Sequence, residues 1–228
     1  MKRVPTTELL DSDAGTPAEI TTSLADLRRV NRWFGGVATT EAMIERVARQ
    51  LAVSQLSLLE IAAGSGDVPK LAAARLRRRG INVNVMLLDR ARSHLNSSNR
   101  AVVGDALALP FCDASFDVLS CGLFAHHLAP PQFAEFVREG LRVCRRALLI
   151  NDLIRSRVHL MLVYAGYPLY RSRLTWHDGP ASVRQAYTIE EMRTMIAGIP
   201  GARVEIHRHY LYRMGVIVWK DGKSHGAE

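Results

Sequence analysis

The chain has 228 residues, of which 48% are apolar and 23% charged, a balance that excludes a disordered chain and supplies one sizeable α/β core. Thirty Lys and Arg against 22 Asp and Glu give a formal net charge of +8, which fits either an anionic partner or a genomic preference for arginine. Three cysteines without CxxC spacing exclude a disulfide framework, so we expect a soluble protein in a reducing, cytoplasmic location. Residues 1–17 are polar and the most apolar stretch, 158–169, is short, so we expect neither a signal peptide nor a membrane span.

Two helices are predicted before the first strand. Residues 1–17 show little periodicity and are interpreted as a flexible tail. The apolar spacing that follows predicts one helix and then a second, with Thr39 or Thr40 as its N-cap. We interpret residues 18–52 as a helical cap over the front of a sheet domain that spans residues 53–228.

Short apolar runs alternate with helical stretches in the middle of the chain, which predicts an α/β, Rossmann-like fold with a mostly parallel sheet. The predicted strands are 56–61, 83–88, 101–103, 116–120 and 147–150, and the helices among them are 68–79 and 131–143. Residues 153–187 break this rhythm and are interpreted as a lid insertion, after which Thr188 caps a last helix. Two alternating runs, 204–210 and 214–219, predict an antiparallel pair at the edge of the sheet.

The strongest functional signal is the loop that follows the first strand. Small residues between a strand and a helix let a ligand approach the backbone and reach free N–H groups, and Gly64 and Gly66 supply the conformational freedom. The dinucleotide pattern G-x-G-x-x-G/A fails here because its third small residue falls on Pro69. The carboxylate of Glu60 at the mouth of this loop favours a cationic cofactor over a pyrophosphate.

Two more acids follow neighbouring strands. Asp89 ends the second strand, where a carboxylate commonly binds the two ribose hydroxyls of a nucleoside, and Asp105 follows the third, where an adenine amino group would lie. The carboxyl ends of parallel strands share one edge of a sheet, so we expect the three acids to form one site. The alternative is that Glu60 and Asp105 cap helices and that Asp89 is a solvated turn residue.

This pattern resembles the class I S-adenosylmethionine-dependent methyltransferases, in particular the ubiquinone/menaquinone-biosynthesis type and its small-molecule relatives. The resemblance covers residues 56 to about 150 and rests on residues 60–67, Asp89, 104–111 and the stretch from 116–118 to 126–128. It implies a seven-stranded sheet with an antiparallel edge strand, and S-adenosylmethionine as a cofactor that leaves as S-adenosylhomocysteine. The family normally has glycine where Ala62 stands, so a methyl group narrows the approach to the methionine moiety. The predicted cofactor-binding residues are Glu60, Ala62, Gly64, Gly66, Asp89, Arg90, Asp105, Ala106 and Cys121.

Three histidines are candidate general bases, which are needed only if the acceptor must lose a proton. His126 and His127 follow the fourth strand, and at most one of them faces the acceptor because adjacent residues on a helix point about 100° apart. The alternative is that both histidines lie at the start of a helix and have hydrogen-bond partners within the chain. His177 stands beside Asp178, which would orient its imidazole, but the same residues also fit a tight turn over 177–180.

We expect no metal site of the catechol-methyltransferase kind. Asn151 and Asp152 would supply ligands after the fifth strand, but residues 122–124, after the fourth, contain no acid.

Aromatic and basic side chains in the lid predict an amphiphilic pocket for an aromatic, partly anionic acceptor, although core packing and solvation explain such residues equally well. The predicted substrate-binding residues are Tyr164, Tyr167, Trp176, Arg173 and Tyr187. We therefore predict in-line methyl transfer to an oxygen of a small aromatic or polyketide- or quinone-like acceptor in secondary metabolism, by a monomer or homodimer without a nucleic-acid partner.

Three other functions compete with this prediction. The charge of +8 favours a methyltransferase acting on RNA or another nucleic acid, but residues 121–125 lack the Asn/Asp-Pro-Pro-aromatic sequence typical of base N-methylation. An NAD(P)-dependent reductase conflicts with Pro69. A non-catalytic, cofactor-binding partner subunit is compatible with the same residues.

Overall fold

A seven-stranded sheet lies between two layers of helices in the computed structural model, which describes residues 1–10, 14–95 and 100–221. Its strands follow the order β3-β2-β1-β4-β5-β7-β6; β1 to β5 run parallel, and β7 is antiparallel to both neighbours. The strands are β1 Gln55–Ile61, β2 Asn82–Asp89, β3 Ala101–Val103, β4 Phe116–Gly122, β5 Cys144–Leu153, β6 Ala202–His209 and β7 Arg213–Lys220. The helices are α1 Pro17–Trp33, α2 Gly36–Leu51, α3 Asp67–Arg77, α4 Pro130–Val143, α5 Arg157–Ala165, α6 Arg173–Gln185 and α7 Ile189–Ala197.

The sheet confirms the predicted α/β class and its mostly parallel strands. The predicted antiparallel pair also forms one edge, but the reversed strand β7 lies one place in and β6 is outermost. Strand β5 is longer than predicted because it pairs on both sides, with β4 and with β7, as far as Leu153 opposite Arg213. Two polar side chains, Asn151 and Asp152, are thereby carried into a buried strand end.

Each face of the sheet has its own apolar core, since side chains alternate along a strand. Leu58 on one face packs with residues of α2 and α3, whereas the adjacent Leu59 belongs to the cluster formed with α4 and α7. Helix α2 is therefore part of a packed layer rather than of a cap, while α1 contacts α6 of the lid. No helix of the described residues is long and apolar enough to cross a membrane.

Helix α2 also begins earlier than predicted. Its N-cap is Gly35, whose φ of 83° is left-handed, and Thr39 and Thr40 are buried inside the helix. Glycine adopts this conformation at little cost, so the chain turns directly from α1 into α2 without a side-chain cap.

The strand order places a crevice at the carboxyl ends of β1 and β4. The chain leaves β1 toward β2 on one side and later returns to β4 on the other, and ligands of open α/β sheets bind at such a reversal of strand order. Glu60 pairs in register with Ser120, and Ile61 with Cys121, so the β1 loop and the turn after β4 lie side by side.

Candidate cofactor and acceptor site

Left-handed backbone shapes the loop between β1 and α3. Ala62, Gly64 and Gly66 have φ angles of 52°, 52° and 70°. A Cβ on Gly66 would lie 2.5 Å from Leu87 Cδ1, so only glycine fits there, whereas one on Gly64 would meet no atom within 4 Å. Gly64 therefore borders open space, and Ala62 holds a conformation that favours glycine, at a cost of about 1 kcal/mol or more.

Glu60 is a buried carboxylate at the mouth of this loop. Ser120 donates a hydrogen bond to it, and no cationic side chain of the described residues forms an ion pair with it. Burial raises the pKa of Glu60 to about 7. The space next to it is kept free by Gly122, whose added Cβ would lie 3.7 Å from Glu60 Oε1. A buried acid without a cationic partner suits a ligand that brings a positive charge of its own.

Asp89 ties the end of β2 to the loop. Its Oδ2 accepts a hydrogen bond from Gly64 N–H at 2.8 Å, and its Oδ1 accepts one from Ala91 N–H at 2.9 Å. Each carboxylate oxygen has a second lone pair, so both oxygens are still able to accept from a diol. The residues thus fit a cationic nucleoside cofactor: a carboxylate for the cation, an open glycine loop and a carboxylate for the ribose.

The other predicted cofactor residues surround this loop at different depths. Asp105 is exposed, and its Oδ1 accepts a hydrogen bond from Leu107 N–H at 2.9 Å. The predicted contact with adenine would therefore require the Asp105 carboxylate to accept from the adenine amino group as well as from Leu107. Arg90 is exposed, Ala106 and Cys121 are buried, and burial raises the pKa of the Cys121 thiol. Their roles at the cofactor remain predictions.

His126 lies in a buried ion-pair cluster. Its Nδ1 is 2.6 Å from Asp152 Oδ1, and its Nε2 is 3.3 Å from Glu8 Oε1. The two carboxylates outweigh the effect of burial and raise the pKa of His126 to about 10. A protonated imidazole is a donor rather than a base, so this arrangement does not support the predicted role of His126 in accepting a proton.

The other two candidate bases have different surroundings. The ring of His127 lies 4.2 Å from that of His126 between centroids, and its Nε2 is 4.0 Å from Glu8 Oε2. His177 is half exposed, with Nδ1 2.8 Å from Asp178 Oδ1. The alternative of a tight turn at 177–180 is wrong, because these residues lie inside α6 with Pro180 in the helix.

Glu8 belongs to an N-terminal segment, residues 1–10, that packs against the site where the sequence predicts a flexible tail. Arg3 donates hydrogen bonds to the carbonyls of Gln185, His126 and Leu128, at 2.7, 2.8 and 3.1 Å. Glu8 itself accepts from Ser182 and Gln185 of α6. The sequence predicts no role for Glu8. It marks Asp152 as an acid at a strand end, but only as a potential metal ligand.

Part of the lid forms an aromatic cluster. The rings of Tyr167 and Trp176 stack at 5.6 Å, and Tyr164 packs 5.3 Å from Tyr167. Arg184 donates a hydrogen bond to the Tyr164 hydroxyl at 2.6 Å. Trp176 and Tyr164 are about half exposed, so the cluster offers aromatic surface and a cation together.

Two predicted substrate residues lie elsewhere. Tyr187 is buried, donates its hydroxyl to the carbonyl of Leu128 at 2.6 Å and has Arg3 over its ring, so its contacts are structural. Arg173 forms an exposed ion pair with Glu19 of α1. Both would serve the acceptor only indirectly, because their polar groups already have partners within the chain.

Comparisons with known proteins agree with this geometry. Residues 59–148 match the methyltransferase domain family. Ubiquinone/menaquinone biosynthesis C-methyltransferase of Rickettsia typhi is 27% identical over 156 residues, 63% of this chain and 62% of that protein. Demethylmenaquinone methyltransferase of Thermotoga maritima is 33% identical over 101 residues, 43% of this chain and 41% of that protein. The alignments thus span less than two thirds of these relatives.

Among solved structures, the plantazolicin methyltransferase BpumL in complex with a monoazolic desmethylPZN analog and SAH has the same fold. Its TM-score is 0.70, with 12% identity over 93% of each chain. The family match covers the strand-end loop and the acids Glu60, Asp89 and Asp105. Residues 59–148 thus match a methyltransferase domain, and from its fold, its site and this match the chain resembles the ubiquinone/menaquinone-biosynthesis branch of the class I S-adenosylmethionine-dependent methyltransferases.

Proposed function

We propose that this protein transfers a methyl group from S-adenosylmethionine to a hydroxyl oxygen of a small aromatic or polyketide- or quinone-like acceptor. The observation that carries the proposal is the buried Glu60, which forms no ion pair with a cation of the described residues and lies beside the open loop at Gly64, at the reversal of strand order. When bound, S-adenosylmethionine supplies an electrophilic methyl group. The residues of the chain then have to align the acceptor and exclude water.

The acceptor class is inferred from the lid. Trp176, Tyr167 and Tyr164 present stacked aromatic surface, and Arg184 adds a cation beside it. Aromatic faces and a guanidinium together favour a planar acceptor that carries some negative charge, as a phenolate or enolate does. The lid helix α6 packs on the short 3₁₀ helix at Ala125–His127, which links this surface to the carboxyl edge of the sheet.

Two alternatives find less support. A nucleic-acid substrate needs a continuous basic surface, but several exposed arginines are paired, Arg75 and Arg79 with Glu41 and Arg46 with Glu205. A dinucleotide-dependent reductase needs a small residue where Pro69 is buried in the first turn of α3. The relatives named above as quinone-pathway methyltransferases favour a small organic acceptor instead.

The test is a product assay. The purified chain is incubated with S-adenosylmethionine and a panel of phenols, hydroxyquinones and β-diketones, and the products are analysed by mass spectrometry and ¹³C NMR with a labelled methyl group. An O–CH₃ signal supports the proposal, a C–CH₃ signal moves the transfer to carbon, and methylated RNA in a parallel arm would overturn the acceptor class. Asp89→Ala is the inactive control, and His177→Ala is the matched variant that keeps the cofactor site.

A further inference from the structure

A second site is formed by Glu8, His126 and His127. Each offers one ligand atom, a carboxylate oxygen or an imidazole nitrogen, and these atoms all lie within 4.8 Å of one another. His126 is fully buried, and its Nε2 lies 3.3 Å from Glu8 Oε1. Two imidazoles and a carboxylate this close together, at a buried position, have the composition of a transition-metal site.

We propose that these three residues bind one divalent transition-metal ion, with Zn²⁺ as the representative ion. Two imidazoles and one carboxylate form a ligand set that suits Zn²⁺, Fe²⁺ or Co²⁺, whereas Mg²⁺ and Ca²⁺ prefer all-oxygen sites. Ligand bonds of about 2.0–2.2 Å in a tetrahedral site place the ligand atoms about 3.4 Å apart, so atoms that are now up to 4.8 Å apart must draw together by about 1.4 Å. Glu8 lies in residues 1–10, outside any helix or strand, so it is the ligand that moves.

The surroundings of the cluster orient the ligands. Asp152 holds Nδ1 of His126 at 2.6 Å, which orients the ring so that Nε2 faces Glu8. A carboxylate on the far nitrogen is the usual partner of a metal-bound histidine. Ser182 and Gln185 donate to Glu8 Oε1 at 2.6 and 2.7 Å, which holds the carboxylate beside the two imidazoles.

Charge also favours a dication. Two buried carboxylates, Glu8 and Asp152, lie at the cluster, and one buried guanidinium, that of Arg213 on β7, interacts electrostatically with Asp152. The carboxylates outnumber this guanidinium, so their charge attracts a dication. The ion would tie residues 1–10 to the carboxyl edge of the sheet and would leave at least one coordination position open for water or a hydroxyl group.

The experiment measures metal binding directly and is independent of methyl transfer. The chain is stripped with a chelator and titrated with Zn²⁺ by calorimetry and with Co²⁺ by visible absorption, in a Cys112→Ser background because Cys112 is an exposed thiol. We expect one ion per chain and a Co²⁺ spectrum of a four- or five-coordinate N/O site. Mg²⁺ in excess should not displace it.

Glu8→Gln and His127→Asn should each weaken binding at least about tenfold, since even supporting partners contribute that much. Circular dichroism checks that both variants are folded, and His177→Asn, which changes another histidine–carboxylate pair, is the matched control with unchanged affinity. No stoichiometric binding by the folded chain, or equal affinity in wild type and both folded variants, would overturn the proposal.

Discussion

Replacing Glu60 by glutamine removes one negative charge while it keeps the size of the side chain and its hydrogen bond from Ser120. With a pKa of about 7, the carboxyl group is ionised in about 3% of molecules at about pH 5.5 and in about half of them at pH 7. If the cationic cofactor binds the ionised form, its apparent affinity rises more than about tenfold over this range. Glu60→Gln should bind weakly at both pH values.

Calorimetric titration with S-adenosylmethionine and S-adenosylhomocysteine measures this directly. Other groups that titrate in the same range contribute equally to wild type and variant, so the difference between the two pH profiles isolates Glu60. Glu45 lies on α2 and forms ion pairs with Arg49 and Arg79, away from the cofactor loop. The control variant Glu45→Gln should keep the wild-type profile. A rise for both ligands identifies the ammonium as the partner of Glu60, and a rise for S-adenosylmethionine alone identifies the sulfonium. Parallel profiles for wild type and Glu60→Gln would refute the reasoning.

The same substitution has a consequence for stability. The pKa of Glu60 is about 7 in the folded chain, above its ordinary value of 4.5, so the folded state holds an extra proton between these pH values. The free energy of unfolding therefore falls as the pH rises from about 4.5 to 7, by about 3 kcal/mol in total. Glutamine does not ionise, so the free energy of unfolding of Glu60→Gln does not fall in this way. In urea denaturation the variant should be more stable than wild type at pH 8, and the two proteins should have similar stability at pH 4.

The remaining predictions concern the loop, the ribose site and the lid. Asp89→Ala removes the acceptor of the Gly64 and Ala91 N–H groups and should weaken S-adenosylhomocysteine binding more than about tenfold by calorimetry, whereas His177→Ala should leave it unchanged. Ala62→Val places a β-branched residue at a φ of 52° and should lower the free energy of unfolding by about 2 kcal/mol, while Ala62→Gly should stay within about 1 kcal/mol of wild type. Trp176→Ala should raise the KM for the acceptor about tenfold, because it removes a ring of the lid cluster. Tyr187→Phe should lower the free energy of unfolding by about 1 kcal/mol without changing KM, because the Tyr187 hydroxyl donates to the carbonyl of Leu128. A KM effect of Tyr187→Phe with none of Trp176→Ala would make Tyr187 the acceptor residue instead.

Local signals in the sequence were enough to predict the sheet and the cofactor loop. Short apolar runs mark buried parallel strands, and a capping residue such as Thr188 marks the start of α7, where it accepts from Glu191 N–H as expected. The loop from Ala62 to Gly66 was also visible, because glycines at this spacing after a strand signal a close approach of the backbone to a ligand. These features depend on neighbours along the chain.

The N-terminal segment had no such signal. Glu8 contacts Ser182 and Gln185, which lie 174 and 177 residues away, and no periodicity along residues 1–10 marks it as buried. Asp178 and Pro180, two residue types common in turns, likewise favoured a turn, yet they lie in α6, where the Asp178 carboxylate accepts from Leu9 and Leu10 N–H. Long-range hydrogen bonds of this kind override local preference and appear only in the folded chain.

Several features that local rules penalise lie at the carboxyl edge of the sheet, and together they argue for a site there. Ala62 and Leu123 hold left-handed conformations just after β1 and β4, and Glu60 and Asp152 bury carboxylates at the ends of β1 and β5. Arg213, where β7 pairs with the end of β5, buries a guanidinium whose pKa burial lowers to about 10. Packing alone gives no reason to concentrate strain and buried charge at the carboxyl ends of adjacent strands, because apolar residues there would make a more stable core. A bound cationic cofactor supplies that reason, since it offsets the buried charge of Glu60 and uses the open backbone beside Ala62.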